Sequence, residues 1–454
     1  MPVLGEPAAE WQALIRERAD PALCGGLADR MRERRLTFGG RLLCPFLRPF
    51  FLDPRDEARV RHAAETLWRL GERVAKAAAA DTQLLDYLGL SEDEIRLVEI
   101  DPGYEVASTS ARADAFILPD SLQFAEYNAE SPAGLGYSQR LSELFAAEPP
   151  MPEFKARFDV RFYTPIASLL SALLESYKDW GGTQRPPRIA IVDWRDVPTY
   201  SEFELLRDAF TAAGVPTLIA DPRDLMLSGG TLSAHGERID LVYRRVLIND
   251  MVARPDECRP LVEAYRTKAV CMANALRCKI PHKKAFFALL TDQRYASLFT
   301  AAERDVIANH VPWTRVVDRT RADEIRRGRE RLVLKPSDEY GGKGVTLGWE
   351  TGEPEWDAAI ARALEEAGDS NRVWIVQERI PTRREVFPVC EDDRLIDRDM
   401  LVDFAPYVFR GRVAGFLTRL SATGLANVTS GGGQVPAFVV EARARSEQGR
   451  GGRT

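Results

Sequence analysis

The stretch Arg331 to Glu350 constrains the fold most. A short apolar run, Leu332-Val333-Leu334, ends in Lys335 and Pro336. A loop follows with Gly341, Gly342 and Gly344 around Lys343, and a second extended run opens at Val345. This pattern reads as a β-hairpin. Glycines let backbone N–H groups come close to an anion and tolerate φ > 0, while the two lysines add positive charge, so the hairpin reads as an anion holder. The plain alternative is a Gly-rich turn between two strands with no ligand. The stretch does not fit G-x-x-x-x-G-K-[ST], because no Ser or Thr follows Lys343. Nor does it fit the dinucleotide fingerprint, because no helix opens after the glycines.

A second constellation lies upstream. Ala115 to Leu118 and Leu122 to Tyr127 are predicted strands joined at Pro119-Asp120. Arg112 and Asp114 are two apart and share a face, as do Glu126 and Asn128. If the strands pair antiparallel, Asp114, Glu126 and the Asn128 amide oxygen converge. These are hard oxygen donors suited to Mg²⁺, which takes water and phosphate oxygens as its other ligands. Two amphipathic strands with polar outer faces would show the same pattern. Asp403 and Asn427 form a competing metal pair. Further on, CKIPHKKAFFALLTD (Cys278 to Asp292) sets Lys284, or alternatively Lys283, at the head of an apolar helix, where a lysine can reach a phosphate.

R-x-D, then EYNAESPAG (Glu126 to Gly134), then a strand-end lysine with a glycine loop resembles the ATP-grasp enzymes. The carboxylate strands precede the lysine loop, an order similar to that of circularly permuted ATP-grasp proteins. EYNAESPAG itself resembles the corresponding stretch of glutathionylspermidine synthases. The resemblance implies ATP and Mg²⁺, with two ions held by Asp114, Glu126 and Asn128. It gives Arg112 and Lys335 to the transferred phosphoryl group, Gly341 to Gly344 to the phosphates, and Lys284 to the α-phosphate. Gln377, Glu378 and Ile380 become the adenine hinge after the strand Val373 to Val376, and Glu385 the ribose ligand. Glu130, Ser131, Arg244, Arg245, Arg419, Asn427, Ser430 and Gly431 become candidate contacts to substrate or phosphate. The implied reaction activates a carboxylate as an acyl phosphate, which an amine converts to an amide. No cysteine-amidase domain of the kind some glutathionylspermidine synthases carry is seen, so product hydrolysis is not expected and spermidine as the amine is put in doubt.

The remaining chain organises around these motifs as an α/β protein with an α+β, permuted ATP-grasp core. Residues 1–100 read as helical, with segments Ala8 to Arg18, Asp56 to Ala80 and Gln83 to Leu90. The second of these opens at Asp53-Pro54. Residues 101–148 hold the paired strands. Residues 185–275 form an open α/β unit like that preceding ATP-grasp lobes, with strands Arg188 to Asp193, Pro216 to Ala220 and Ile239 to Arg245. Its helix Ser201 to Ala213 is capped by Ser201 and ended by Gly214. Residues 276–440 carry the ATP-binding lobes, and 441–454, without an apolar anchor, reads as a disordered tail.

A net charge of −6 argues against a nucleic-acid partner. There is no bilayer-length apolar run and no signal-peptide pattern, so a cytoplasmic protein without a membrane partner is expected. Six cysteines without C-x-x-C spacing read as reduced thiols, and four scattered histidines without a metal motif argue against histidine-based metal or triad chemistry. The partners expected are a small-molecule or peptide carboxylate and an amine; oligomeric state is left open. Two other functions remain on sequence grounds: an ATP-dependent phosphotransferase on the same fold and a non-catalytic nucleotide-binding protein.

Overall fold

The computed structural model describes residues 5–17, 21–339, 341–369, 372–391, 394–422 and 432–443. Asn427, Ser430 and Gly431 lie outside the described residues, as does the chain from 444 onward.

The predicted strand pair is present and longer than expected. Ser110–Leu118 and Ser121–Asn128 run antiparallel, with Arg112 opposite Asn128 and Asp114 opposite Glu126. The register shifts between Asp114 and Ala115, a bulge of the kind that re-aims side chains beside a site. This hairpin forms one side of a six-stranded antiparallel sheet. Ser110–Leu118 pairs with the long strand Arg394–Phe409, which in turn carries Arg383–Glu391 and Arg412–Ser421. The turn at Arg410-Gly411 has φ of +44° and +81°, the double positive φ that suits a tight hairpin.

The lysine hairpin belongs to a second sheet of four strands, ordered Thr314–Val316, Trp374–Glu378, Leu332–Pro336 and Thr346–Leu347. Alternation sorts its two faces. Leu332, Leu334, Trp374 and Val376 bury against Trp356, Ile360 and Ile325 in a local core. Val333, Lys335, Ile375 and Gln377 are cross-strand partners on the opposite face, where Val333, Lys335 and Gln377 line a cavity.

A third sheet is parallel, in the order Cys271–Ala273, Leu241–Arg244, Ile189–Val192, Thr217–Ala220. From Ile189–Val192 the chain first adds a strand on one side and then crosses to the other. The carboxyl ends of Ile189–Val192 and Leu241–Arg244 therefore flank a topological switch point, where open α/β sheets bind ligands. Here the chain fills that position with its own loop. Arg244 lies 3.4 Å from Glu130, Ser131 donates to the Arg245 carbonyl at 2.9 Å, and Arg245 donates to the Pro132 carbonyl at 2.6 Å.

The N-terminal helices pack into the same core as the central sheet. The longest, Pro54–Ala78, is capped by Asp53, whose carboxylate accepts from the Arg55 and Asp56 amides. Its buried stripe includes Val60, Leu67, Leu70 and Val74, each such side chain contributing about 1.5–3 kcal/mol. No helix among the described residues is long and apolar enough to cross a membrane.

Several expectations are corrected. Ser201 is not a cap: the helix is Tyr200–Ala212, Thr199 precedes it, and no side chain caps it. The apolar helix expected after the lysine pair is present as Ala285–Thr291 with Lys284 at its N-cap position, and a separate short turn, Lys279–His282, precedes it because Lys283 adopts ψ of 133°. Strand pairing continues through Ala442, two residues into the stretch read as tail, since Glu441 and Ala442 pair with Asp159 and Phe158. Not every cysteine is a reduced thiol. Cys44, Cys258, Cys271 and Cys278 are free and buried, but Cys390 is disulfide-bonded.

Candidate active site

One face of the lysine sheet and one face of the central sheet line a cavity of about 200 Å³. Lys335, Lys284, Gly341, Gly342 and Lys343 line one side, and Asp114, Glu126, Asp403 and Arg419 the other. Phe116, Val345, Leu347, Trp349 and Ile380 supply an apolar slot between them. Basic and amide groups thus face hard oxygen donors across a partly apolar gap.

Lys335 reaches the cavity because it ends a strand whose opposite face is buried. Its Nζ donates to Gln377 Oε1 at 2.6 Å and to the Ala125 carbonyl at 3.3 Å. Gln377 is committed at its other end too, donating to Thr314 Oγ1 at 3.1 Å. Burial lowers the Lys335 ammonium to about 8, against the pull of Glu126. The sequence left Lys283 and Lys284 as alternatives, and the helix break separates them. Lys284 Nζ lies 3.6 Å from Glu126 and donates to the Glu339 carbonyl at 2.5 Å, whereas Lys283 is buried between Glu94 and Asp338.

The glycine loop uses φ of +66°, +78° and +71° at Gly341, Gly342 and Gly344. A Cβ at Gly344 would also stand 2.7 Å from Pro336 Cγ, so that position needs glycine twice over.

On the acidic side, Arg112 grips Asp114 with two hydrogen bonds, 2.7 and 3.1 Å, and Arg419 donates to Asp114 at 2.6 Å and to Asp403 at 2.5 Å. Burial would raise the Asp114 carboxyl, but Arg112 and then Arg419 outweigh it and hold Asp114 well below the usual carboxylate range. Asp403 takes the opposite course. Burial, reinforced by the Asp114 charge, pushes it up to about 7 despite Arg419, and its Oδ1 has no hydrogen-bond partner. Asn128 donates to Glu126 Oε1 at 3.0 Å, which leaves its amide oxygen available. Among the described residues, no group of three or more His, Cys, Asp or Glu is positioned as a ready-made metal cage. One or two carboxylates facing a phosphate site are what a hydrated, phosphate-bound Mg²⁺ uses, so Asp114 and Glu126 with Asn128 fit that ion.

Of the residues singled out from sequence, Arg112 and Asn128 stand directly behind this wall. Glu378 and Ile380 line the slot. Others are not brought there. Glu385 is 7% exposed and held by Arg48 at 2.7 Å and Arg383 at 2.6 Å. By that point the chain has left the hinge and joined the central sheet opposite Met400. Glu130, Ser131, Arg244 and Arg245 are committed to the docked loop described above. Burial is outweighed at Glu130 by Lys279, His282 and Arg244, which keep it ionised below its ordinary range, so it is not poised as a base. Trp349 and Glu339 were missed. Trp349 lies just past the second hairpin strand, and its apolar alternation with Val345 and Leu347 was the available signal.

Comparison with known proteins places the chain in a family. Residues 109–428 match the family described as circularly permuted ATP-grasp type 2. A putative glutamate–cysteine ligase 2-2 of Frankia casuarinae is 24% identical over 330 residues, 69% of this chain and 36% of that protein. An uncharacterized protein of Mycobacterium tuberculosis is 26% identical over 358 residues, 73% of this chain and 59% of that one. The chain therefore spans about a third of the length of the curated ligase relative it matches. A glutathione synthetase-like effector from Globodera pallida, solved in apo form, shares the fold with a TM-score of 0.59 at 12% identity, over 94% of this chain and 97% of that one. With its carboxylate strands ahead of its lysine hairpin and the match spanning well over half of its length, the chain belongs to the circularly permuted ATP-grasp family, type 2.

Proposed function

We propose that the protein is an ATP-dependent carboxylate–amine ligase that forms an amide through an acyl phosphate. The observation that carries this is the convergence of Lys335, Lys284 and the glycine loop with Asp114 and Glu126 around one cavity. A carboxylate oxygen attacks the γ-phosphorus and ADP leaves; the amine then attacks the acyl carbon, and inorganic phosphate departs with that oxygen. Mg²⁺, which Asp114 and Glu126 with Asn128 would hold, would supply neutralisation of phosphate charge. Lys335 and Lys284 spread the remaining charge, and Arg112 holds Asp114 as an anion at the edge of the site. Trp349, Ile380 and Leu347 offer the apolar contact that a purine face needs.

A cavity of about 200 Å³ is below the ~300–1,000 Å³ of ordinary small-molecule sites, so the glycine loop has to lift to admit a nucleotide. Gly344→Ala is expected to disfavour the closed loop by about 1–2 kcal/mol. In an equilibrium titration it should bind nucleotide roughly tenfold more weakly; unchanged affinity would show that this loop does not close on the phosphates.

A phosphate at Lys335 favours its charged form. Affinity should be level below pH 8, where the ammonium is already protonated, and fall above it by up to about tenfold per pH unit. Nucleotide Kd measured across this range checks the sign.

The substrate pair is tested by ADP release with Mg-ATP against carboxylates and amines. Glutamate with cysteine, the pair named for the Frankia relative, comes first. Glutathione with spermidine comes second, on the EYNAESPAG resemblance. Release that needs the carboxylate, rises with the amine and vanishes in Glu126→Ala supports the ligase. Amine-independent release with a stable phosphorylated product would indicate a phosphotransferase.

A further inference from the structure

Outside the cavity, a buried ionic cluster joins parts of the chain that the proposed chemistry needs in register. Lys279 is 1% exposed. Its Nζ lies 2.6 Å from Asn249 Oδ1, 2.8 Å from Asp338 Oδ1, and 3.4 Å from both Glu130 Oε2 and Glu94 Oε1. Each partner comes from a different region. Asn249 lies in the short helix after the parallel-sheet strand Leu241–Arg244, Glu94 belongs to an N-terminal helix, Glu130 follows Asn128 by two residues, and Asp338 follows Lys335 by three.

The links on either side are short. Ser337 accepts from the Lys284 amide at 2.8 Å and, through its hydroxyl, from the Ala285 amide at 3.1 Å, which fixes the root of the glycine loop to the lysine segment. Glu130 also accepts from the Ile248 amide and faces Arg244 and His282. Lys283 joins Asp338 to Glu94. Lys279 touches Asp338 and Glu130 together. Such a bridge is firmest at Glu130, whose fully buried carboxylate has no water to turn to, while Asp338 is held by two ammonium groups at the rim.

We propose that Lys279 is a positioning residue, whose ammonium ties the root of the glycine loop to the segment after Asn128 and so sets the nucleotide side of the cavity against its carboxylate side. The inference rests on the ligase reading for the identity of the two sides. Its consequence is energetic coupling: metal at Asp114 and Glu126 strengthens nucleotide binding partly because Lys279 holds the two walls together.

The test is the Kd of a fluorescent ATP analogue on the full chain in EDTA and in saturating MgCl₂, for wild type, Lys279→Met, Lys279→Arg, Asp338→Asn and Lys283→Met. A merely structural role would weaken binding equally in both conditions. In Lys279→Met the gain from Mg²⁺ should fall by ~10-fold while the EDTA value stays within about threefold of wild type. Lys279→Arg should recover most of the gain. Asp338→Asn weakens the bridge from the loop side at a partly exposed carboxylate that Lys283 shares, so it decides the matter, if Lys279→Met fails to fold, when compared with Lys283→Met, which should keep the gain. An unchanged gain in a folded variant overturns the inference alone, as does a wild type that binds nucleotide without any gain from Mg²⁺. A wild type that binds no nucleotide overturns the ligase reading itself.

Discussion

Replacing Asp114 with alanine is expected to cost about 3–5 kcal/mol of folding stability, the penalty for breaking a buried ion pair from one side. Asp114 is 4% exposed and receives two hydrogen bonds from Arg112 and one from Arg419. Without it, Arg112 loses its carboxylate partner, and Arg419 keeps only Asp403, itself a group that burial pushes towards neutrality. Asp114→Asn retains the shape and one acceptor and should fall between wild type and alanine. Urea unfolding of the three proteins gives the comparison. The sign with pH follows from the depressed carboxyl. The Asp114 contribution is fully present above the ordinary aspartate range and fades as pH drops through the lower folded value, so the wild-type advantage should shrink in acid. An alanine variant as stable as wild type would mean that the arginines are satisfied elsewhere.

Lys335→Met should behave in the opposite way. Burial lowers this ammonium to about 8 in the free protein, and its hydrogen-bond partners are a neutral amide and a carbonyl. A side chain whose charged form is disfavoured by the fold contributes little to stability, so the variant should be as stable as wild type at neutral pH. Between pH 8 and the ordinary lysine range, wild type should gain stability relative to Lys335→Met, because there the folded chain binds fewer protons than the unfolded one. Turnover should nevertheless drop by about 10²–10³-fold, the usual cost of removing one donor aimed at developing charge. Asp114→Ala thus loses stability along with function, and Lys335→Met loses function alone. Unfolding curves and turnover measured on the same samples separate the two.

The sequence made the central features legible where local pattern and chemistry coincide. Arg112 with Asp114, and Glu126 with Asn128, are two apart on predicted strands, and the observed register sets them face to face. The lysine hairpin follows the same logic, because alternation alone decides that Leu334 is buried and Lys335 reaches the cavity. What failed depended on tertiary crossings. Arg244 ends a strand and Glu130 lies just beyond one, the same signature as a site, yet the two meet in a buried loop dock at the switch point of the parallel sheet. Lys283 and Lys284 are indistinguishable in sequence, and a single extended residue between two short helices sends them to different surroundings. Glu385 keeps the spacing expected of a ribose ligand, but a change of sheet intervenes and Arg48, more than three hundred positions earlier, takes its carboxylate. The pairing of Cys390 likewise reflects proximity in space that no cysteine spacing announces.

The central claim is that the carboxylate itself is phosphorylated. It is tested most directly by running the reaction with the carboxylate that best stimulates ADP release, labelled with ¹⁸O in its carboxyl group, and analysing the inorganic phosphate by mass. Attack of a carboxylate oxygen on the γ-phosphorus, followed by amine attack at carbon, must carry one labelled oxygen into each phosphate released. Phosphate that emerges without label, while amide is formed, would contradict the acyl-phosphate route.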